Sequence, residues 1–283
     1  MKNRNSKFEY SHDFVHSPFR YQGHQTYALK SILSLIPEHE LFIEPFCGGA
    51  GVFFAKSKVK TNWLNDINEK LIKTYQVIRD KPNELINFLK QEDVSVERYN
   101  YFNKEFKPHN NFEVAVRWFY LNRTSNLETM DKFWEQDCTI NVDFSKLNRI
   151  ISDCSRKLQE TKLSYGDFNV LINEAPDNAF LVISPPYSLH HSQNRTQSYK
   201  YPFERKDHLR IVDALKQNTN RIKFLLTYRD CEEIKELYSW GHNTIRELNC
   251  DNKFVKDSTK KIEDQIKKSE KGKEEIAIMN YSP

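Results

Sequence analysis

Ala179-Phe180-Leu181-Val182-Ile183-Ser184-Pro185-Pro186-Tyr187 is the stretch on which the fold turns. Five apolar residues in a row read as a strand buried on both faces of a parallel sheet. Proline lacks a backbone N–H and has a fixed φ, so the strand stops at Pro185-Pro186. The break leaves a stiff elbow at a strand's carboxyl end, where open α/β sheets bind their ligands. Ser184 brings a hydroxyl there, the prolines leave carbonyls ready to accept hydrogen bonds, and Tyr187 brings an aromatic face. Such a set suits a flat base bearing an exocyclic amine. A plain strand end with a Pro-Pro turn looks the same in isolation, so the rest of the chain decides.

Upstream, Leu41-Phe42-Ile43 reads as a short buried strand. Glu44-Pro45-Phe46-Cys47-Gly48-Gly49-Ala50-Gly51 follows, then an apolar helix start, Val52-Phe53-Phe54-Ala55. The chain has only seven glycines, and three fall in this loop. Glycine permits a tight turn and a close approach of ligand to backbone, and the next helix offers free N–H groups. The loop is neither GxGxxG nor GxxxxGK[ST], so neither a dinucleotide nor a P-loop site is read. Thr61–Asp66 is a second strand ending in an acid, and an acid there can take both hydroxyls of a ribose. The bland role for Asp66 is N-cap of a helix over Asn68–Ile78. Glycine loop and acid together point to a nucleoside ligand without a demanding phosphate.

The chain is 283 residues, 38% hydrophobic and 29% charged, enough for one large domain or a domain with a sizeable insertion. A net charge of +4 permits a polyanionic partner without demanding one. No apolar run approaches the ~20 residues that span a bilayer, and the first residues carry no signal-peptide core. Five scattered cysteines form no CxxC pair, so no zinc site or disulfide framework is signalled and a reducing cytoplasm fits. A helix is expected over Thr26–Leu35, with Thr26 as N-cap. Residues 80–165 read as mainly helical: Pro82 opens one helix, Glu113–Leu121 is another, and Leu147–Leu158 is amphipathic. Asn122-Arg123-Thr124-Ser125-Asn126 is expected to break the second. Arg123 is either a phosphate contact or a helix C-terminal arginine facing the macrodipole. Without strand–helix alternation, this block is an insertion between sheet strands.

Alternation resumes at Lys162–Tyr165, ending in Gly166-Asp167-Phe168. Asp167 can accept from an adenine amine with Phe168 on the ring, or the pair is a turn with a core Phe. Residues 188–206 form a basic, aromatic loop, with His190, His191, Arg195, Tyr199, Lys200, Tyr201, Arg205 and Lys206, suited to phosphates and unstacked bases. The histidines lack a metal-ligand pattern, so no metal is expected. A helix over Asp207–Lys216, a strand over Phe224–Tyr228, a helix over Cys231–Trp240 and a last strand over Glu274–Tyr281 complete the chain. Lysine-rich Asp251–Lys273 is either a nucleic-acid contact or a solvated loop.

Several segments resemble one family in order: Tyr21-Gln22-Gly23-His24-Gln25-Thr26, Phe42–Gly51, Leu64-Asn65-Asp66-Ile67-Asn68, Tyr120-Leu121-Asn122-Arg123-Thr124, Gly166-Asp167-Phe168, Ser184–Tyr187 and Glu275–Tyr281. The chain is similar to DNA adenine methyltransferases of the Dam type over roughly residues 18–281. The resemblance implies an α/β fold: a Rossmann-like S-adenosylmethionine-dependent sheet over 18–80 plus 160–283, with a helical target-recognition subdomain inserted at 81–159. It implies S-adenosyl-L-methionine held by Tyr21, Gln25, Phe46, Gly48, Gly49, Gly51, Asp66, Asp167, Phe168 and Ser184. It implies a flipped base at Ser184, Pro185, Pro186 and Tyr187, and double-stranded DNA held by Asn122, Arg123, Arg195 and Lys200. It further implies a restriction-modification setting with a separately encoded endonuclease as the optional partner, no membrane, and a cytoplasmic monomer or weak dimer.

Three positions depart from the family. Ser184 stands where adenine enzymes usually carry Asp, and a serine there is typical of N4-cytosine enzymes. Gln25 stands where a lysine is usual. Ser125-Asn126-Leu127 replaces the usual Phe-Asn-Gly. The expectation is methyl transfer to adenine N6; the alternatives are cytosine N4, or a DNA-binding relative without catalysis.

Overall fold

The computed structural model describes residues 13–21, 28–125, 130, 144, 147–187, 201–249 and 275–283. Gln25, Thr26, Asn126, Leu127, His190, His191, Arg195, Lys200 and the lysine-rich 251–273 lie outside the described residues.

Among the described residues seven strands form one sheet: β1 Leu41–Glu44, β2 Thr61–Asp66, β3 Lys162–Tyr165, β4 Phe180–Ile183, β5 Lys223–Arg229, β6 Thr244–Leu248 and β7 Glu275–Met279. Their order is β3-β2-β1-β4-β5-β7-β6, parallel as far as β5, with β7 antiparallel between β5 and β6. Side chains alternate across the sheet with the period of two that a strand imposes. Phe42, Phe180, Val182, Leu225, Ala277 and Met279 enter one buried cluster, and Ile43, Leu181, Ile183, Leu226, Ile276 and Ile278 enter the other. This is a doubly covered α/β sheet.

The helices follow from capping and periodicity. They are α1 Leu29–Leu35, α2 Gly51–Ala55, α3 Glu69–Asp80, α4 Pro82–Leu89, α5 Val96–Asn100, α6 Asn111–Thr124, α7 Leu147–Leu158, α8 Phe168–Glu174, α9 Arg205–Asn218 and α10 Glu232–Leu237. Asn68 caps α3 by accepting from Leu71 N at 3.3 Å, and Asn110 caps α6 through Glu113 N at 2.9 Å. In α7, Leu147, Ile151, Cys154 and Leu158 make one buried stripe at helical spacing. Next on its buried face, the Lys157 ammonium donates to the carbonyls of Asp13, Phe54 and Lys56, closing the carboxyl end of α2.

Some elements differ from expectation. The helix does not break at Asn122; α6 runs on to Thr124. Its polar residues are satisfied in place: the Asn122 amide donates to Arg20 O at 2.6 Å and accepts from Arg20 N at 3.1 Å, and the Thr124 hydroxyl donates to Tyr120 O. The 81–159 block shares one buried cluster with the sheet, because Phe119, Tyr120, Ile151 and Leu158 join Phe42, Phe54, Leu64 and Tyr75. A π-helical turn, Tyr101–Glu105, extends α5, and Arg117 donates to its Phe102 and Asn103 carbonyls. Finally, β6 is an unexpected edge strand. Its half-exposed Thr-Ile-Arg-Glu-Leu pattern gives little apolar signal alone, and its pairing with β7 makes it a strand.

Among the described residues no helix is long and apolar enough to cross a membrane.

Candidate active site at the carboxyl rim of the sheet

β1 pairs with both β2 and β4. The crossovers through α2 and α3 cover one face and those through α8 and α9 the other, so the rim between β1 and β4 is a topological switch point. Ile43 is in register with Trp63 and with Leu181. Asp66 and Ser184 each stand three residues beyond those partners, so they flank the glycine loop at matching levels of the rim.

The loop is tied to its neighbours by backbone groups. Cys47 N donates to Asn65 O at 2.8 Å, and the Asn65 amide donates to Pro45 O and Gly166 O, both at 3.1 Å. Ser164 Oγ donates to Asn65 Oδ1 at 2.8 Å, so this one side chain joins the ends of β1, β2 and β3. Gly48 takes φ +45°. Its N–H donates to Asp66 Oδ2 at 2.9 Å and its carbonyl accepts from Tyr75 OH at 2.9 Å. A Cβ on Gly48 would stand 2.8 Å from Tyr21 Cε1, so the aromatic ring is seated on the bare glycine. Gly48→Ala is therefore expected to displace Tyr21 and to lose about 1–2 kcal/mol from the left-handed backbone alone; thermal unfolding and cofactor titration check it.

Asp66 is 7% exposed. Burial pushes its carboxyl above the usual carboxylate range, and the N–H donors of Asn68 and Gly48 oppose that shift. Asn68 N reaches Oδ1 at 2.9 Å. Asn68, and not Asp66, caps α3. Asp66 has no ion pair with a lysine or arginine among the described residues. A carboxylate offers about four acceptor positions, and the backbone N–H groups of Asn68, Gly48 and Ile67 engage part of them. What remains suits hydroxyl donors.

Glu44, at the end of β1, is buried and accepts from Phe53 N at 2.8 Å, which pins α2 behind the loop. Burial, opposed by the Phe53 N–H and by Lys56, raises its pKa to about 8. A carboxyl raised in the folded state stabilises fully below its unfolded pKa near 4.5, and that contribution is lost as pH climbs through about 8. Glu44→Gln keeps an acceptor for Phe53. Unfolding free energies across pH are expected to coincide with wild type near pH 5 and to favour the variant above pH 8, by on the order of 4 kcal/mol.

Beyond β3, Phe168 packs on Phe46 with centroids 4.9 Å apart, and Phe203 closes the group at 5.7 and 5.8 Å. Asp167 Oδ1 accepts from Asn169 N at 2.8 Å, capping α8, and from Arg210 at 2.7 Å. The Arg210 guanidinium lies 4.8 Å over the Phe168 ring. Asp167 and Phe168 thus make a capped turn with a buried Phe, at the same rim. Tyr201 OH reaches Asn68 Oδ1 at 3.5 Å, beside Asp66.

At the end of β4, Ser184 Oγ accepts from Thr227 Oγ1 at 2.9 Å, and Tyr187 OH lies 3.2 Å from the same Thr227 oxygen. The Tyr187 ring is 5.9 Å from that of Tyr228, whose hydroxyl meets His208 Nδ1 at 2.6 Å.

Asn122 and Arg123 stand elsewhere and face inward. Arg123 donates to Pro18 O and lies 5.7 Å from the Phe119 ring, while Asn122 holds the Arg20 backbone. Both side chains clamp residues 18–20 onto α6. Phe203, Arg210 and Thr227 stand at the rim without having been read from the sequence, beside Tyr201 of the basic, aromatic loop. The signal in the chain was Thr227, an aliphatic hydroxyl inside the apolar run Phe224–Tyr228.

The rim thus holds a buried acceptor for hydroxyls, aromatic faces for a base, and a glycine loop tied to Asp66 and Asn65. Those residues fit S-adenosylmethionine, a nucleoside with no phosphate. Residues 21–250 match the family of D12 class N6 adenine-specific DNA methyltransferases. The type II methyltransferase M.CviBI of Paramecium bursaria Chlorella virus NC1A is 25% identical over 77% of this chain and 85% of its own. The type II methyltransferase M1.LlaDCHI of Lactococcus lactis subsp. cremoris is 26% identical over 78% and 84%. The DNA adenine methylase of Escherichia coli K12 is 33% identical over 34% and 36%. The crystal structure of SMU.472, titled a putative methyltransferase complexed with SAH, shares 11% identity and overlaps 94% of this chain and 56% of its own, with a TM-score of 0.37. With the family match spanning well over half of the chain, the protein belongs to the D12 class of N6 adenine-specific DNA methyltransferases, whose reaction moves a methyl group from S-adenosylmethionine to the N6 amine of adenine in DNA.

Proposed function

We propose that the transfer takes place in a single cleft between Asp66 and Ser184, with the glycine loop as its floor. The observation that carries this is the shared register of β2 and β4 with Ile43, which sets both side chains on one rim. The cofactor supplies an electrophilic methyl on a sulfonium. Asp66 accepts from the ribose hydroxyls, and Gly48, Gly49 and Gly51 let the backbone approach. Tyr21, Phe46, Phe168 and Phe203 enclose the apolar parts, Asp167 stands at the adenine amine, and Gln25 stays among the proposed cofactor residues. Ser184 Oγ and the Pro185 carbonyl accept from the two N6 protons of the flipped base, orienting the nitrogen lone pair, while Pro186 stiffens the turn and Tyr187 stacks on the ring.

Ser184 alone suggests cytosine N4, but the family match lies with adenine, so that alternative is not favoured; nor is a relative without catalysis. Arg195, Lys200 and the helices of 81–159 are proposed to hold the duplex. A separately encoded endonuclease of the same specificity, a monomeric or weakly dimeric state and a cytoplasmic location complete the reading.

The test uses purified protein, labelled cofactor and genomic DNA digested to nucleosides. Label is expected in N6-methyladenine; label confined to N4-methylcytosine sinks the assignment.

A further inference from the structure

Ser184 and Tyr187 are the first and last residues of a turn whose middle is two prolines. Each proline lacks an N–H, so the turn cannot be closed by donors of its own centre. One tie across it comes from the neighbouring strand. Ile183 is in register with Leu226, so Ser184 and Thr227 are the next step on adjacent parallel strands. Thr227 is 0% exposed and is also held against Ala277 of β7, in the interior of the sheet. Its Oγ1 donates to Ser184 Oγ at 2.9 Å, and Tyr187 OH meets the same oxygen at 3.2 Å. Thr227 has one hydroxyl proton and directs it at Ser184, so the proton between Thr227 and Tyr187 is the tyrosine's. The chain of hydroxyls runs from Tyr187 to Thr227 to Ser184.

We propose that Thr227 is the positioning residue of the target-base pocket: its hydroxyl ties both ends of the Ser184–Tyr187 turn to β5 and sets the amine acceptor against the stacking ring. The proposal rests on the reading of Ser184–Tyr187 as the pocket for the flipped adenine. Two features make the tie matter. Ser184 is a neutral, single-atom acceptor, and its oxygen swings with χ1, so its direction must be imposed from outside. Tyr187 stacks with its face, and its plane is set by where the hydroxyl is anchored. The ring of Tyr228, itself held to His208 Nδ1 at 2.6 Å, braces Tyr187 from the side but does not reach Ser184 in this way. Thr227 serves both residues through one atom.

The experiment compares Thr227→Val, which keeps the shape and removes the hydroxyl, with Thr227→Ser, which keeps the hydroxyl. Methyl transfer to adenine in genomic DNA is measured in single turnover and steady state, with cofactor affinity by calorimetry and melting temperature alongside. Thr227→Val is expected to lose about tenfold to a hundredfold in kcat, with cofactor affinity within about threefold of wild type because Asp66 is untouched. Thr227→Ser is expected to recover most of the rate. On a Ser184→Ala background, Thr227→Val is expected to cost several-fold less than in wild type, since only its tie to Tyr187 is left to lose. Should Thr227→Val fail to fold, Thr227→Cys, of similar size and a weak donor, replaces it with the same expected loss. Full rate in the hydroxyl-less variant, or equal losses in Val and Ser, overturns the proposal while wild type remains active on adenine. Wild type inactive on adenine overturns the pocket reading, and the proposal with it.

Discussion

Asp66→Ala is expected to weaken cofactor binding by at least about a hundredfold, since a hydrogen-bonding site that loses its buried partner discriminates by several kcal/mol. The reason lies in what the carboxylate holds. It accepts from Gly48 N and Asn68 N, both at 2.9 Å, in a position 7% exposed. Removing it takes away the acceptor for the ribose and leaves two buried N–H groups without a partner, each costing about 1–3 kcal/mol. The glycine loop loses its tie to β2 at the same time, so the melting temperature should fall as well. Asp66→Asn separates the two effects. Its carbonyl can serve one backbone donor, but its NH2 meets the other, so stability should be intermediate and affinity still low. Calorimetric titration with S-adenosylmethionine and thermal unfolding measure both; an alanine variant that binds within about threefold of wild type would falsify the assignment of Asp66 to the cofactor.

Ser184 carries the second large effect. Ser184→Ala removes the side-chain acceptor for the N6 amine and should lower single-turnover transfer by about a hundredfold, the scale for losing one well-placed hydrogen-bonding group at a reacting centre. Cofactor affinity should hold, because the loss falls on the base. Ser184→Asp should act in the opposite direction. A carboxylate accepts more strongly than a hydroxyl, by roughly a factor of two in hydrogen-bond strength, and Thr227 already points a donor at that position. The aspartate variant is expected to methylate adenine faster than wild type, with no gain on cytosine. A rate unchanged in both variants places the amine elsewhere.

Much of the site is legible in local sequence because turn chemistry is local. Two prolines end β4 whatever surrounds them, a bare glycine permits φ +45° at position 48, and a strand of continuous apolar residues signals burial on two faces. Thr61–Asp66 is a strand with the bounds its pattern suggests, and Leu147–Leu158 a helix likewise. Family likeness then added the order of the motifs, and with it the cofactor and the base.

What the chain could not disclose by itself is which polar groups meet across it. Asn122 looks like a helix breaker until Arg20, about a hundred residues away, satisfies its amide; Arg123 reads equally as a phosphate contact or a helix C-terminal arginine, and it donates to the Pro18 carbonyl. Thr227 looks like an interruption in a strand until register sets it beside Ser184. Tyr75 gives no hint that its hydroxyl holds Gly48, and Phe203 none that it completes the ring set at Phe46 and Phe168. Backbone preference is written in neighbouring residues, because it arises from sterics within a few bonds. The value of a polar side chain depends on its partner, and the partner is chosen only when the strands are laid side by side. Sequence determined that there is a nucleoside-type rim on a parallel sheet; tertiary packing decided which side chains stand on it and which hold it up.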